Sequence, residues 1–469
     1  MLRFFEEICA IPHGSGNEGA IADYICNFAK ERGLYFYRDD ENNVFIRKPA
    51  TEGYENVPAI LLQGHTDMVC EKNSDSKHNF LTDPLDIYVE NGKLRARGTT
   101  LGADDGAGVA AMLAILDSSD LSHPLLECLF TTGEETGMYG AENFDTSVIT
   151  AKKLINLDTE KDCEAIVSCA GSVNIEYSLD TDRLKCERHI VKISVSGLAG
   201  GHSGADIHLG RLSANRVMGR LLARAYDDMP FNIYSVSGGN MMNAIARECV
   251  AEIVTDDIER AKAVIYDEAE KIIKEVTSDD ASLRITASRG RIVPDMLSFK
   301  DTSAIINMMT LPHHGVYSYS PEIPGFVRTS ANNGIVSVEG GSALARVFFM
   351  ARSSCDSEFS ALILSFKRLA KAIGCVCKVE GRSMGWEVNK NSSLAESFLK
   401  CYKALYEGSS PYITAVHAGL ECGVFVSKIG CDAISIGPNM ENIHSPDEAL
   451  DLASCERFYR VLTAMIADR

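Results

Sequence analysis

The pentapeptide Gly133-Glu134-Glu135-Thr136-Gly137 sets two adjacent carboxylates in a turn with glycine on both sides. Neighbouring side chains in an extended turn point different ways, so one carboxylate can grip a cation while the other faces whatever the cation holds. Side by side the two charges repel, and a nearby cation removes that conflict. A Glu-Glu pair alone is more often a solvated surface turn than a site, but similar signals recur along the chain. In Gly64-His65-Thr66-Asp67-Met68, His65 and Asp67 are two apart, a spacing that puts both on one face of an extended chain. A metal-binding histidine wants its second ring nitrogen held by a carboxylate or carbonyl. In Gly102-Ala103-Asp104-Asp105-Gly106-Ala107-Gly108 an acidic pair opens a helix. The glycines resemble a phosphate cradle, yet there is no GxxxxGK[ST] and no lysine, so the pair fits a cation better than an anion. One aspartate can serve as ligand while the other caps the helix. Asp158 follows the run Leu154-Ile155-Asn156-Leu157, and His444 lies in the loop 442–448. Histidines and carboxylates together suit zinc, manganese or cobalt better than a soft thiolate metal.

These residues share a context. The apolar runs 58–63, 125–132 and 153–157 read as buried strands, and so does 432–436. Each is followed by one of the candidate ligands, and in an open α/β sheet ligands bind at the carboxyl ends of the strands. Helices are expected at 2–10, from Ser15-x-x-Glu18 as a capping box to Gly33, at 109–116 and at 453–467, with a second capping box at Ser393-x-x-Glu396. Near residue 187 the pattern changes to strands and helices in rough duplicate. That segment holds the turn Gly200-Gly201-His202-Ser203-Gly204, the polar turn with Asn240 and Asn243, and Arg352 at a strand end. From 386 the earlier pattern returns. The expectation is an α/β chain: a mixed-sheet catalytic domain with helices on both faces, made of 1–186 and 386–469, interrupted by an inserted α+β lid at 187–385.

Composition limits the partners. Lys and Arg number 46 against 65 Asp and Glu, a formal net charge of −19, which argues against nucleic acid and anionic membrane. The 15 cysteines are odd in number and lack a CxxC pair, which reads as reduced, buried thiols in a reducing compartment. The opening residues Met1-Leu2-Arg3-Phe4-Phe5-Glu6-Glu7 place acid where a signal peptide needs an apolar core. No run is long enough to span a bilayer. A cytoplasmic, soluble protein is expected.

Five segments together resemble the metal motifs of the M20 metallopeptidases: GHTDM at 64–68, GADDGAG at 102–108, TTGEETG at 131–137, INLDTE at 155–160 and IHSPDE at 443–448. GGHSGADIH at 200–208, SGGNMMNAIARE at 237–248 and VHAGLECG at 416–423 are similar to the Xaa-His dipeptidase branch of that family, also called aminoacyl-histidine dipeptidase or peptidase D. The resemblance implies two Zn2+ per chain, with Mn2+ or Co2+ as alternatives. Asp104 would bridge them, His65 and Asp158 would hold one, and Glu135 and His444 the other. Asp67 would orient His65, and Glu134 would be the general base. The Asp104–Asp105 peptide would be cis. His202 would supply a donor to the oxyanion, and Arg352 would clamp the substrate's C-terminal carboxylate. Asn240 or Asn243 would assist, and His417 would be structural or part of the substrate pocket. Family members are often dimers, here through the lid domain. The implied reaction is hydrolysis of dipeptides with a free carboxylate, Xaa-His among them. Two alternatives stand beside it: an amidohydrolase acting on N-acyl amino acids, and a metal-binding relative without activity.

Overall fold

Four apolar segments form the parallel heart of an eight-stranded sheet. In the computed structural model, which describes residues 1–468, strand Ile60–His65 lies between Leu126–Thr131 and Lys153–Asn156, parallel to both. Asp432–Ser435 extends the parallel set beyond Lys153–Asn156. Parallel strands covered on both faces read as continuous apolar runs, and every residue of Ile60–His65 and Leu126–Thr131 is buried. Val44–Lys48 and then Tyr35–Arg38 add antiparallel on one side; Glu164–Cys169 and Tyr412–Val416 complete the other. Because the four central strands run the same way, their carboxyl ends share one edge. Helix Ala103–Asp117 packs on Ile60–His65. From Gly106 to Leu116 it is apolar and buried on every face, as a helix enclosed by core must be. A smaller sheet, ordered Met440–Glu441, Ala449–Asp451, Lys93–Ala96, Ile87–Glu90, carries the loop 442–448 between its first two strands.

The chain divides into two compact units, Met1–Cys169 with Trp386–Ala415 and Leu420 onward, and Ala170–Gly385 with Val416–Gly419. The first break falls at 169/170 instead of the expected 186/187. The reason is pairing: Gly171–Asp180 runs antiparallel to Leu344–Ser353 along its whole length and so belongs to the second unit's sheet. That nine-stranded sheet runs Arg284–Leu297, Arg183–Ser196, Cys249–Val254, Asn232–Gly238, Val327–Val338, Leu344–Ser353, Gly171–Asp180, Val376–Glu380, with Gly315–Tyr319 paired to Val327–Val338. Its core joins Tyr177, Phe349 and Phe366 to Met218, Leu221 and Leu222 of helix Ala214–Asp228. A two-stranded ribbon pairs Gly201 with Ile245 and His202 with Ala244. No helix among the described residues is long and apolar enough to cross a membrane.

Both expected capping boxes are corrected. Ser15 does not cap helix Gly19–Glu31; its hydroxyl donates to Asp67 Oδ2 at 2.8 Å. Helix Ser393–Leu405 is capped one residue earlier, by Ser392, whose hydroxyl accepts from Ala395 N, while Ser393 donates to Asp432. In each case a carboxylate from elsewhere in the fold is the better partner for the serine.

Candidate metal centre

The shared strand edge collects the first unit's candidate residues. His65 ends Ile60–His65, the Glu134–Glu135 turn follows Leu126–Thr131, and Asp158 follows Lys153–Asn156. Asp104 sits at the start of helix Ala103–Asp117, next to a cis Asp104–Asp105 peptide. His65 Nε2 lies 3.0 Å from Asp104 Oδ1 and 3.8 Å from Asp158 Oδ1. His444 Nε2 lies 3.3 Å from Asp104 Oδ2 and 2.8 Å from Glu135 Oε1. Two groups therefore converge within metal-ligating reach, His65–Asp104–Asp158 and Asp104–Glu135–His444, with Asp104 common to both. Glu134 forms a third such group with His65 and Glu135.

The surroundings prepare these side chains. His65 donates through Nδ1 to the backbone carbonyl of Asp67 at 3.0 Å, which fixes the ring so that Nε2 points at Asp104 and Asp158. The Asp67 carboxylate lies 3.5 Å from the same ring nitrogen. It chiefly holds the acidic turn, accepting from Glu134 N at 3.1 Å and Glu135 N at 3.3 Å. Gly64 leaves room for Asp105: a Cβ there would sit 2.2 Å from Asp105 Oδ2. Beneath the edge a buried polar chain laces the strands together. Thr131 donates to Glu421 at 2.7 Å, Gln63 donates to Glu421 and receives from Asn156 at 2.8 Å, and Ser435 donates to Asn156. The sequence signals neither Ser15's bond to Asp67 nor this polar chain directly. The available signal was polar Gln63 and Asn156 inside otherwise apolar strands.

Burial dominates the electrostatics. It pushes Glu134 up to about 8; His65 opposes, while the charges of Glu421, Glu135 and Asp104 add to the rise. Burial and then the Asp104 charge raise Asp158 well above the carboxylate range. Burial resists ionisation of Asp104 too, but the His444 and His65 rings hold it low. The adjacent Asp104 and Glu135 carboxylates push His444 up to about 10. For His65, burial opposes a rise that the bonds to Asp104 and Asp67 more than restore. The cluster thus binds protons where it lacks compensating positive charge. An all-nitrogen-and-oxygen donor set with this deficit fits hard or borderline divalent cations.

The second unit assembles a different cluster. Arg352 is 6% exposed, and no carboxylate among the described residues lies within ion-pair distance of it. Burial alone pulls its pKa down to about 10. Its Nη2 lies 3.4 Å from His202 Nε2, and its Nε lies 3.4 Å from Ser203 Oγ. His202 Nδ1 accepts from Gly204 N at 3.3 Å and Ala205 N at 3.0 Å. A neutral ring so held carries its proton on Nε2. His202 and Arg352 therefore turn donors toward the same place, an arrangement that suits an anion. His417, also 6% exposed, pairs its Nε2 with Ser330 Oγ at 2.7 Å. Asn243 gives its backbone carbonyl to Ser203 N at 2.8 Å. Asn240 is exposed on the wall of a hollow of about 570 Å3 with Gly201, Met241 and Arg247.

Known proteins share this architecture and sequence. The chain is 34% identical over 469 residues to the cytosol non-specific dipeptidase of Escherichia coli (strain K12), a match covering 99% of this chain and 96% of the relative. The crystal structure of aminoacylhistidine dipeptidase from Vibrio alginolyticus superposes with a TM-score of 0.92 at 33% identity, covering 99% of this chain and 95% of that one. An aminopeptidase from Bacillus cereus shares the fold at a TM-score of 0.57 and 17% identity. The model of peptidase family M20/M25/M40 matches residues 61–468, a span that takes in every strand end bearing a candidate ligand, and with a full-length relative sharing a third of its residues this chain belongs to that peptidase family.

Proposed function

We propose that the chain is a metal-dependent dipeptidase acting on dipeptides with a free C-terminal carboxylate. The carrying observation is the pair of ligand groups joined at Asp104, with the Glu134 carboxylate beside them. On this reading His65 and Asp158 would hold one divalent ion and Glu135 and His444 another, with Asp104, common to both groups, available to either; zinc fits, as do manganese and cobalt. When bound, divalent ions there would supply Lewis-acid chemistry, lowering the pKa of a water and polarising a carbonyl. Glu134, beside both ligand groups, is placed to accept the water's proton and return it to the leaving amine. Asp67 keeps Glu134 and Glu135 in register through their backbone N–H groups. The Nε2–H of His202 is the donor for the oxyanion, and the unpaired Arg352 is the receiver of the substrate carboxylate. His417 and Asn240 or Asn243 belong with substrate binding. A cytoplasmic location accords with the E. coli relative's name and with cysteines that are all free. A homodimer through the second unit rests on family resemblance and is read by light scattering.

The names of the two relatives differ over whether the second residue must be histidine, so a substrate panel is the direct test. Ala-His, Ala-Ala, β-Ala-His, acetyl-His and Ala-His amide are incubated with purified protein reconstituted with zinc, manganese or cobalt. Cleavage of free dipeptides, with the amide poor, supports the reading. Cleavage of acetyl-His alone makes the chain a deacylase. No turnover on any of them, with metal bound, makes it a non-catalytic relative.

A further inference from the structure

The loop that brings His444 to the centre is tied to the rest of the fold at few points. Asn442 and His444 adopt φ of +52° and +59°, and Asn442, His444 and Asp447 are exposed. Within the loop the bonds are short-range, Ser445 Oγ to Asn442 O at 2.7 Å and Glu448 N to Ser445 O at 3.1 Å, and Arg95 adds one bond from outside, to Asp447 O at 2.8 Å. Its last residue differs from the rest. Glu448 is 2% exposed, and its carboxylate reaches the turn that leads into Asp104. Oε2 accepts from Leu101 N at 2.6 Å and Gly102 N at 3.0 Å, and Oε1 accepts from Ala103 N at 2.8 Å. Three backbone donors on one carboxylate are charge-assisted bonds, about twice as strong as neutral ones. They join the backbone beside Asp104 to the loop bearing His444, which are distant in sequence and converge 3.3 Å apart at their side chains.

We propose that Glu448 is a positioning residue for the metal centre: it staples the His444 loop to the Asp104 turn, so that the two ligand groups sharing Asp104 stay in register before any ion arrives. The inference rests on the metal reading above. Partners behind metal ligands typically change affinity roughly 10–100-fold when removed. The amide of Glu448→Gln keeps the shape, but its NH2 faces a backbone N–H, so at least one of the three bonds is lost.

The test is calorimetric titration of Zn2+ into metal-free wild type, Glu448→Gln, Glu448→Ala and Glu127→Gln, with thermal melts of each metal-free protein. Glu127 is the comparison: it is fully buried, accepts from Thr150 N and Ala151 N at 2.9 Å, and lies at the far end of its strand from the acidic turn. Zinc binding at least tenfold weaker in Glu448→Gln, weaker still in Glu448→Ala, with Glu127→Gln like wild type, supports the staple. Wild-type zinc affinity in Glu448→Gln overturns it, as does an equal loss in Glu127→Gln, which would mark a general effect of stability. Failure of wild type itself to bind zinc takes down the metal reading and the staple with it. Should Glu448→Ala not fold, Glu448→Gln and its melt carry the comparison.

Discussion

Glu134 is held in place by its backbone. Its N–H donates to Asp67, and its carbonyl receives the N–H groups of Gly137 and Met138 at 3.0 and 3.1 Å. Replacing its carboxylate by an amide therefore leaves the turn and Glu135 in position. Glu134→Gln is expected to keep its metal content while kcat falls on the order of 10²–10⁴; full activity with metal bound would remove Glu134 from the proton transfer. Arg352 poses a separate question, because a buried guanidinium without a carboxylate partner is an unsolved charge until an anion arrives. Hydrogen bonds to charged groups are worth roughly 1.5–3 kcal/mol, so Arg352→Ala is expected to lower kcat/KM for a free dipeptide about 10–100-fold. Lysine restores the charge without the two-pronged geometry and should recover only part. The telling comparison is the amidated substrate: wild type is expected to discriminate against it, and Arg352→Ala is not.

At the scale of elements, polar groups that look misplaced in sequence fasten strands and helices to each other. Gln63, Thr131, Asn156, Ser435 and Glu421 do this under the centre. In the second unit Glu358, on helix Asp356–Ile373, accepts from Ser318 at 2.5 Å and Thr329 at 2.7 Å and pairs with Arg328. It thereby ties the helix to strands Gly315–Tyr319 and Val327–Val338. Burial pushes its carboxyl up, but these bonds hold it below its ordinary value of 4.5. A folded-state pKa below the unfolded one stabilises above the unfolded value and loses that contribution as pH falls through the folded value. The Tm difference between wild type and Glu358→Gln should accordingly be present near pH 7 and shrink below pH 4.5. A difference independent of pH would show that the ionised carboxylate contributes nothing.

For the whole molecule, the centre is a concentration of negative charge on a chain already at −19. The pKa values of His65, His444, Asp158 and Glu134 are all raised above their ordinary ones, a proton load that bound metal ions would relieve. Any ligand of the folded state alone stabilises it, by about 2.7 kcal/mol for one site at a hundredfold excess over Kd. Chelator treatment is expected to lower Tm and abolish turnover together, and added zinc to restore both. In His444→Ala the zinc-induced rise in Tm should be smaller. A melt unaffected by chelator and zinc would mean that the acidic cluster is not a metal site.

Much of this was legible in the residues taken in order. A continuous apolar run followed by a histidine or carboxylate needs only local rules, because a parallel strand buried on both faces must be apolar and must stop where polar chemistry begins. His65, Glu135 and Asp158 stand out in this way, and the order of the motifs points to the family. Which partners converge could only come from folding. Parallel pairing puts distant strand ends on one edge, so Asp104 stands between His65 and His444. The same convergence claims Ser15 for Asp67 rather than for a helix cap, moves Gly171–Asp180 into the second sheet, and seats Glu448 on the backbone at 101–103. Those outcomes depend on contacts between residues far apart in the chain, where a side chain's best partner is decided by proximity in space that no local pattern encodes.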